Sequence, residues 1–217
     1  SVKVLLIFKD SVSVERLAIC FISSALKAAG NDVKLWIMNV NPAGQLHEYM
    51  SEYEPHIVGY SAMTGEHIPL AALNRELKEQ YDFFSVFGGP HTTFISDFLM
   101  EEEAVDAICT GEGDLAFPEL CRRMEAGEEY WLTPTFDVRY EGEIHRNDLG
   151  DLTPSLDVLD YPDRKILYDA DPRMGTLGTK YFLATRGCPY KCSYCFNVKY
   201  NEQYKGKGKI IRSRTVR

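Results

Sequence analysis

Three cysteines, Cys188, Cys192 and Cys195, follow one another with the spacing C-x3-C-x2-C inside TRGCPYKCSYCFN, residues 185–197. Three thiolates on one short loop can hold a zinc ion or an iron–sulfur cluster, because soft sulfur donors suit both. A structural zinc site asks for four protein ligands, and no second cysteine pair lies near; the nearest histidine in sequence, His145, is 43 residues before Cys188. An iron–sulfur cubane ordinarily takes four cysteines, so three would leave one iron without a protein ligand. An open coordination position is where a metal site does chemistry. Gly187 and Pro189 suit a loop wrapped around a bulky cluster. The other cysteines, Cys20, Cys109 and Cys121, fall in predicted helices and a strand, where a free thiol packs as a small apolar side chain.

The chain that must position this loop has 217 residues, 45% of them hydrophobic and 26% charged. That is room for one good-sized domain and a piece of another. No apolar run reaches the roughly 18 residues of a membrane span, and no basic-then-apolar leader opens the chain. A cytoplasmic setting without a membrane partner is therefore expected, and disulfides are rare there. The net charge of −8 is unevenly spread. Residues 1–198 carry 17 basic and 31 acidic side chains, while residues 199–217 carry seven basic and one acidic. The acidic body argues against a nucleic-acid partner. The basic tail KGKGKIIRSRTVR reads as a solvated or intramolecularly paired end.

Apolar runs alternate with helical patterns along residues 1–130. VKVLLIF (2–8) suits a strand buried on both faces. Apolar residues at three- and four-residue steps then predict a helix over 14–30, ending at Gly30. Further strands are expected at 33–40, 56–63, 83–89 and 107–111, with helices near 45–53, 69–81, 92–103 and 114–126. This pattern predicts an α/β fold, a five-stranded doubly wound parallel sheet of Rossmann-like or flavodoxin-like type. Such sheets bind ligands beyond the carboxyl ends of their strands. SAMTGEH, GGPHTT and GEGD follow the third, fourth and fifth strands, and three such loops on one edge point to a ligand site. Residues 131–178 read as a hairpin turning at Glu141-Gly142 and then a connector interrupted by Pro154 and Pro162. The run YFLAT, 181–185, is expected to be the first strand of a second domain over 179–217.

The three-cysteine motif, with Tyr194 before its last cysteine, resembles the signature of radical S-adenosylmethionine enzymes. PHIVGYSAMT, FGGPH, TGEGDLAFPEL and DVLDYPDRKIL resemble, in order, the cobalamin-binding domain and connector that precede the radical domain in one subfamily. The resemblance implies that Cys188, Cys192 and Cys195 bind three irons of a [4Fe–4S] cluster. S-adenosylmethionine would chelate the fourth iron, with Tyr194 near its adenine. It further implies that Ser61 and Thr64 contact the nucleotide tail of cobalamin, and that Gly88, Gly89, His91, Gly111, Glu112 and Gly113 line the cavity that accepts it. For His91 alone, a polar helix-start role serves nearly as well. Some cobalamin domains carry D-x-H-x-x-G after the first strand, where the His ligates cobalt. Here Asp10 is kept, Val12 stands at the His and Glu15 at the Gly, so no His ligand is offered from that loop.

The function the resemblance implies is that of the N-terminal part of a cobalamin-dependent methyltransferase acting on an unactivated carbon or on phosphorus. Such an enzyme takes a small-molecule or peptide substrate and an external electron donor such as flavodoxin or ferredoxin. Ring contraction or oxidative cyclisation within the same family, a cobalamin-binding module without its own activity, and a zinc-stabilised sheet are the alternatives. Only 22 residues follow Cys195, too few for the partial TIM-type barrel of a radical domain. The chain is expected to be the leading part of a longer protein and not to turn over alone.

Overall fold

The computed structural model describes residues 1–11 and 14–215. Five parallel strands, β1 (Lys3–Phe8), β2 (Asp32–Ile37), β3 (Ile57–Ser61), β4 (Phe84–Gly88) and β5 (Ala107–Cys109), pair in the order β2-β1-β3-β4-β5. This is the flavodoxin-like order, with its switch point between β1 and β3. Alternate residues of β1 serve opposite faces. Val4, Leu6 and Phe8 pack under α1 (Leu17–Ala28), while Leu5 and Ile7 pack over α2 (Leu46–Tyr53) and α3 (His67–Lys78). Burial on both faces is why the strand reads as one unbroken apolar run.

The predicted helix over 92–103 is instead two short helices, α4 (Pro90–Phe94) and α5 (Phe98–Glu101). Asp97 and the polar Ser96 fall where a continuous helix would have turned, and Phe98 and Leu99 resume the burial. The helix α6 (Gly113–Ala126) closes the β5 side and packs on α1.

The hairpin forms, with Glu141 and Gly142 both at positive φ (51° and 83°), as a two-residue primed turn requires. Its strands β6 (Phe136–Tyr140) and β7 (Glu143–His145) do not stand apart from the sheet. β6 pairs antiparallel with β5, so the sheet has seven strands rather than five. Beyond it, α7 (Arg164–Ala170) and α8 (Pro172–Thr176) return to the first domain, burying Ile166, Leu167 and Met174 in the α1 core.

One expectation is overturned. YFLAT does not form a strand: Tyr181–Leu183 are exposed, Phe182 to 84%, and only Thr185 enters the two-residue β8 (Thr185–Arg186). β8 pairs antiparallel with β9 (Arg212–Ser213), on either side of α9 (Asn197–Gln203). A buried parallel strand needs parallel neighbours and a covered face, and the described residues offer this run neither. No helix among the described residues is long and apolar enough to cross a membrane.

Candidate functional site

Register sets Phe8, Ser61 and Gly88 side by side at the carboxyl edge of the sheet, with Cys109 next in line. A cavity of about 280 Å³ opens there between α1 and α6. Its floor is apolar, from Leu6, Ile22, Val86 and Phe117, and its rim comes from the three predicted loops. Six predicted residues line it: Ser61, Gly88, Gly89, Gly111, Glu112 and Gly113. Gly89 has φ 101° and ψ −173°, a conformation open essentially to glycine alone. A Cβ there would lie 2.8 Å from the Ala62 carbonyl oxygen. That closeness lets the loops interlock, the His91 amide donating to the Ala62 carbonyl and the Ala62 amide to the Gly88 carbonyl. The Cys109 thiol faces the Gly111 carbonyl in the cavity wall, and burial pushes its pKa up to about 12, so it stays neutral.

Thr64 and His91 do not line the cavity. They face each other at 3.2 Å, and His91 stacks on His67 with ring centroids 3.6 Å apart. His91 is buried against the edge of Phe98, and burial together with His67 lowers its pKa. His91 lies in the first turn of α4 and packs against His67 and Phe98.

In the loop after β1, Asp10 lies beside Asn39 and Lys9, and Val12 is outside the described residues. Glu15 is buried. Its carboxylate accepts from the Arg164 guanidinium, the Tyr168 hydroxyl and the Tyr181 amide, with Lys180 at 3.9 Å. Burial alone would raise its pKa, but these donors outweigh burial and hold it at about 2. This ion pair clamps the connector to the first domain. In the sequence Glu15 shows only as a departure from glycine; the signal for the clamp is an acidic residue there and the basic pair Arg164-Lys165 in the connector.

The cysteine loop is more open to solvent than the sheet edge. Cys188 and Cys195 are half-buried, Cys192 is exposed and Tyr194 is 92% exposed. Among the described residues no three His, Cys, Asp or Glu side chains gather into a metal-ligating group, so the three thiols do not converge. A turn joins two of them, the Cys195 amide donating to the Cys192 carbonyl, and Asn201 of α9 donates to the Cys188 carbonyl. All three are free thiols on one loop, a donor set that suits iron–sulfur or zinc chemistry.

The loop is tied to the cavity by charge. Arg186, two residues before Cys188, makes a two-pronged pair with Asp114 at 2.6 and 2.9 Å and lines the cavity. Arg212 of the basic tail pairs likewise with Glu112 at 2.5 and 2.9 Å, and Tyr200 donates to the same carboxylate. Burial opposes it, yet Arg212 and Arg186 hold Glu112 below the usual carboxylate pKa. The tail is thus intramolecularly paired at Arg212. Only its complementarity to GEGD hinted at this in the sequence.

Residues 5–121 match the model of the B12 binding domain. An uncharacterized methyltransferase of Pyrococcus horikoshii is 25% identical over 162 residues, covering 72% of this chain and 35% of that protein. The anaerobic magnesium-protoporphyrin IX monomethyl ester cyclase of Rubrivivax gelatinosus is 26% identical over 203 residues, covering 86% of this chain and 36% of that one. The chain thus spans about a third of the length of these relatives. Among solved structures, the radical S-adenosylmethionine methyltransferase TsrM of Kitasatospora setae superposes with a TM-score of 0.72 at 22% identity, over 99% of this chain and 43% of that one. The superposition takes in nearly the whole chain, the cysteine segment included. The chain belongs to the B12-binding domain family.

Proposed function

We propose that this chain is the cobalamin-binding and cluster-bearing N-terminal part of a radical S-adenosylmethionine methyltransferase. The observation that carries the reading is the contact between its two halves: Arg186, beside the three-cysteine loop, bonds Asp114 in the wall of the cavity. When bound, the [4Fe–4S] cluster and S-adenosylmethionine would supply a carbon radical, and cobalamin a transferable methyl group. Ser61, Gly88, Gly89, Gly111, Glu112 and Gly113 would hold one end of the corrinoid. The cavity is close to the roughly 300 Å³ at which small-molecule pockets begin. It has room for one apolar heterocycle rather than a whole corrinoid. The glycines let backbone approach such a ring, and the neutral Cys109 thiol adds no charge to the wall. Cys188, Cys192 and Cys195 would hold the cluster, with the exposed Tyr194 free to turn onto a nucleoside. Thr64, outside the cavity lining, would meet the nucleotide tail beyond the cavity. The cytoplasm, reduced and supplied with flavodoxin or ferredoxin, is the setting that suits such thiols. The substrate is a small molecule or peptide.

The test is anaerobic reconstitution with iron and sulfide, then titration with hydroxocobalamin and desalting. We expect about four iron and four sulfide per chain and a retained corrinoid spectrum with the nucleotide base off after reduction. One zinc per chain without sulfide, or a colourless protein after both steps, would overturn the reading. A second reading has its own support, the cyclase among the relatives. S-adenosylhomocysteine formed by the intact enzyme marks methyl transfer; its absence during turnover marks cyclisation or another non-methylating reaction.

A further inference from the structure

The helix α9 begins two residues after Cys195 and runs straight onto the loops that rim the cavity. Its Tyr200 donates to the Glu112 carboxylate at 2.9 Å. Just past its end, the Tyr204 hydroxyl accepts the Glu112 amide at 2.8 Å and fills the space beside Gly111, where any Cβ would collide with it. Gln203 donates to the carbonyl of Thr93 behind the β4 loop at 3.0 Å. Toward the cysteine loop, Asn201 holds the Cys188 carbonyl, and the Val198 amide reaches the Cys195 carbonyl at 3.3 Å. One short element therefore touches the cysteine loop with one set of side chains and two cavity loops with another.

The joint is also not fully satisfied. Asn201 Oδ1, Gln203 Oε1 and Arg212 Nε are buried there without a hydrogen-bond partner. An orphaned buried polar atom is costly, so an arrangement that re-pairs them is favoured. Movement of the cysteine loop on loading, or of the GEGD loop on filling of the cavity, reaches the same atoms.

We propose that α9 with Arg212 couples the two sites, so that cluster assembly on the cysteine loop tightens corrinoid binding in the cavity, and the reverse. Tyr200 and Arg212 are positioning residues in this scheme: neither lines the cavity and neither is a thiol ligand. They act through Glu112, whose carboxylate both hold. The coupling is reciprocal by thermodynamic necessity. This inference rests on the function proposed above.

The experiment compares the Kd of hydroxocobalamin, read from visible absorbance, for the intact protein before and after anaerobic cluster assembly. Iron and sulfide contents are measured on the same samples. In the wild type the cluster should lower Kd by about 10-fold, within the usual range of coupling between sites. Tyr200→Phe removes one bond to Glu112 while leaving every thiol and every cavity-lining side chain in place, and should cut the ratio to about 3-fold. Arg212→Gln should bring it to about 1. Both variants should keep the cluster-free Kd and full iron and sulfide, a pattern that a merely structural defect would not give. If Arg212→Gln fails to fold, Tyr200→Phe decides alone. A wild-type ratio of one with both cofactors loaded, or equal ratios in wild type and Tyr200→Phe, overturns the coupling and leaves the proposed function standing. A protein that takes up no corrinoid or no iron in any form overturns both, and the contents themselves tell the cases apart.

Discussion

Ser61, Gly88 and Cys109 end strands whose neighbours on both sides are present, whereas Cys188, Cys192 and Cys195 sit on a loop anchored by a two-residue strand pair. The first set is fixed in place by ladder bonds and by a core on each face of the sheet. The second is held by α9 and by three side chains, Arg186, Asn201 and Arg212. A site built on strand ends is preformed, because its backbone is ordered whether or not a ligand is there. A thiol site on a loop takes its geometry from the metal, since binding and ordering of the loop are one event.

Breaking the preformed region should have the largest effect. Gly89→Ala forces a side chain into a glycine-only conformation and against the Ala62 carbonyl. We expect a loss of about 3 kcal/mol in urea unfolding, and corrinoid binding should go with it. Glu15→Ala strips the buried carboxylate from Arg164 and Tyr168 and should cost about 2 kcal/mol, less than a fully buried pair because Arg164 is partly exposed. The same residue has a pH signature. Its pKa falls from the ordinary 4.5 to about 2 on folding. Its stabilisation is therefore full above pH 4.5 and lost as pH falls through 2. Glu15→Gln should flatten that part of an acid-unfolding curve; an unchanged curve would show that other carboxylates set it. Asp114→Asn leaves Arg186 with Glu112 at 3.4 Å as its remaining acidic partner, and about 1.5 kcal/mol should be lost. Smallest of all, Cys192→Ser on the exposed loop should change unfolding by less than about 0.5 kcal/mol, yet abolish iron and sulfide uptake. A large loss of stability from Cys192→Ser would mean that the thiol loop is as preformed as the sheet edge.

The same contrast governs what could be read in advance. The five parallel strands and the cavity rim were legible because a strand buried on both faces shows as an apolar run, and because its loop must begin where the run ends. The hairpin turn was legible from Glu141-Gly142, but not its pairing with β5, since an edge strand's partner leaves no mark on local sequence. Thr64 and His91 lie off the cavity lining because the loops past Ser61 and Gly88 turn them toward each other and toward His67 and Phe98. YFLAT was misread for a related reason: an apolar run signals burial, and a strand follows only when neighbours exist for it to join. The Glu15–Arg164 and Glu112–Arg212 pairs join residues 149 and 100 positions apart. Charge alone rarely predicts such partners, because any acidic side chain has many basic candidates.

The attachment of β6 to β5 bears on how this unit can be carried from one protein to another. A cut at residue 130, where the alternation of strands and helices ends, would bare the edge of β5 along Ala107–Cys109 and strip Phe136 and Val138 from the core. Naked edges of parallel sheets invite pairing with strangers. A graft meant to stay monomeric has to run at least through His145, and through Tyr181 if the Glu15 clamp is to travel with it.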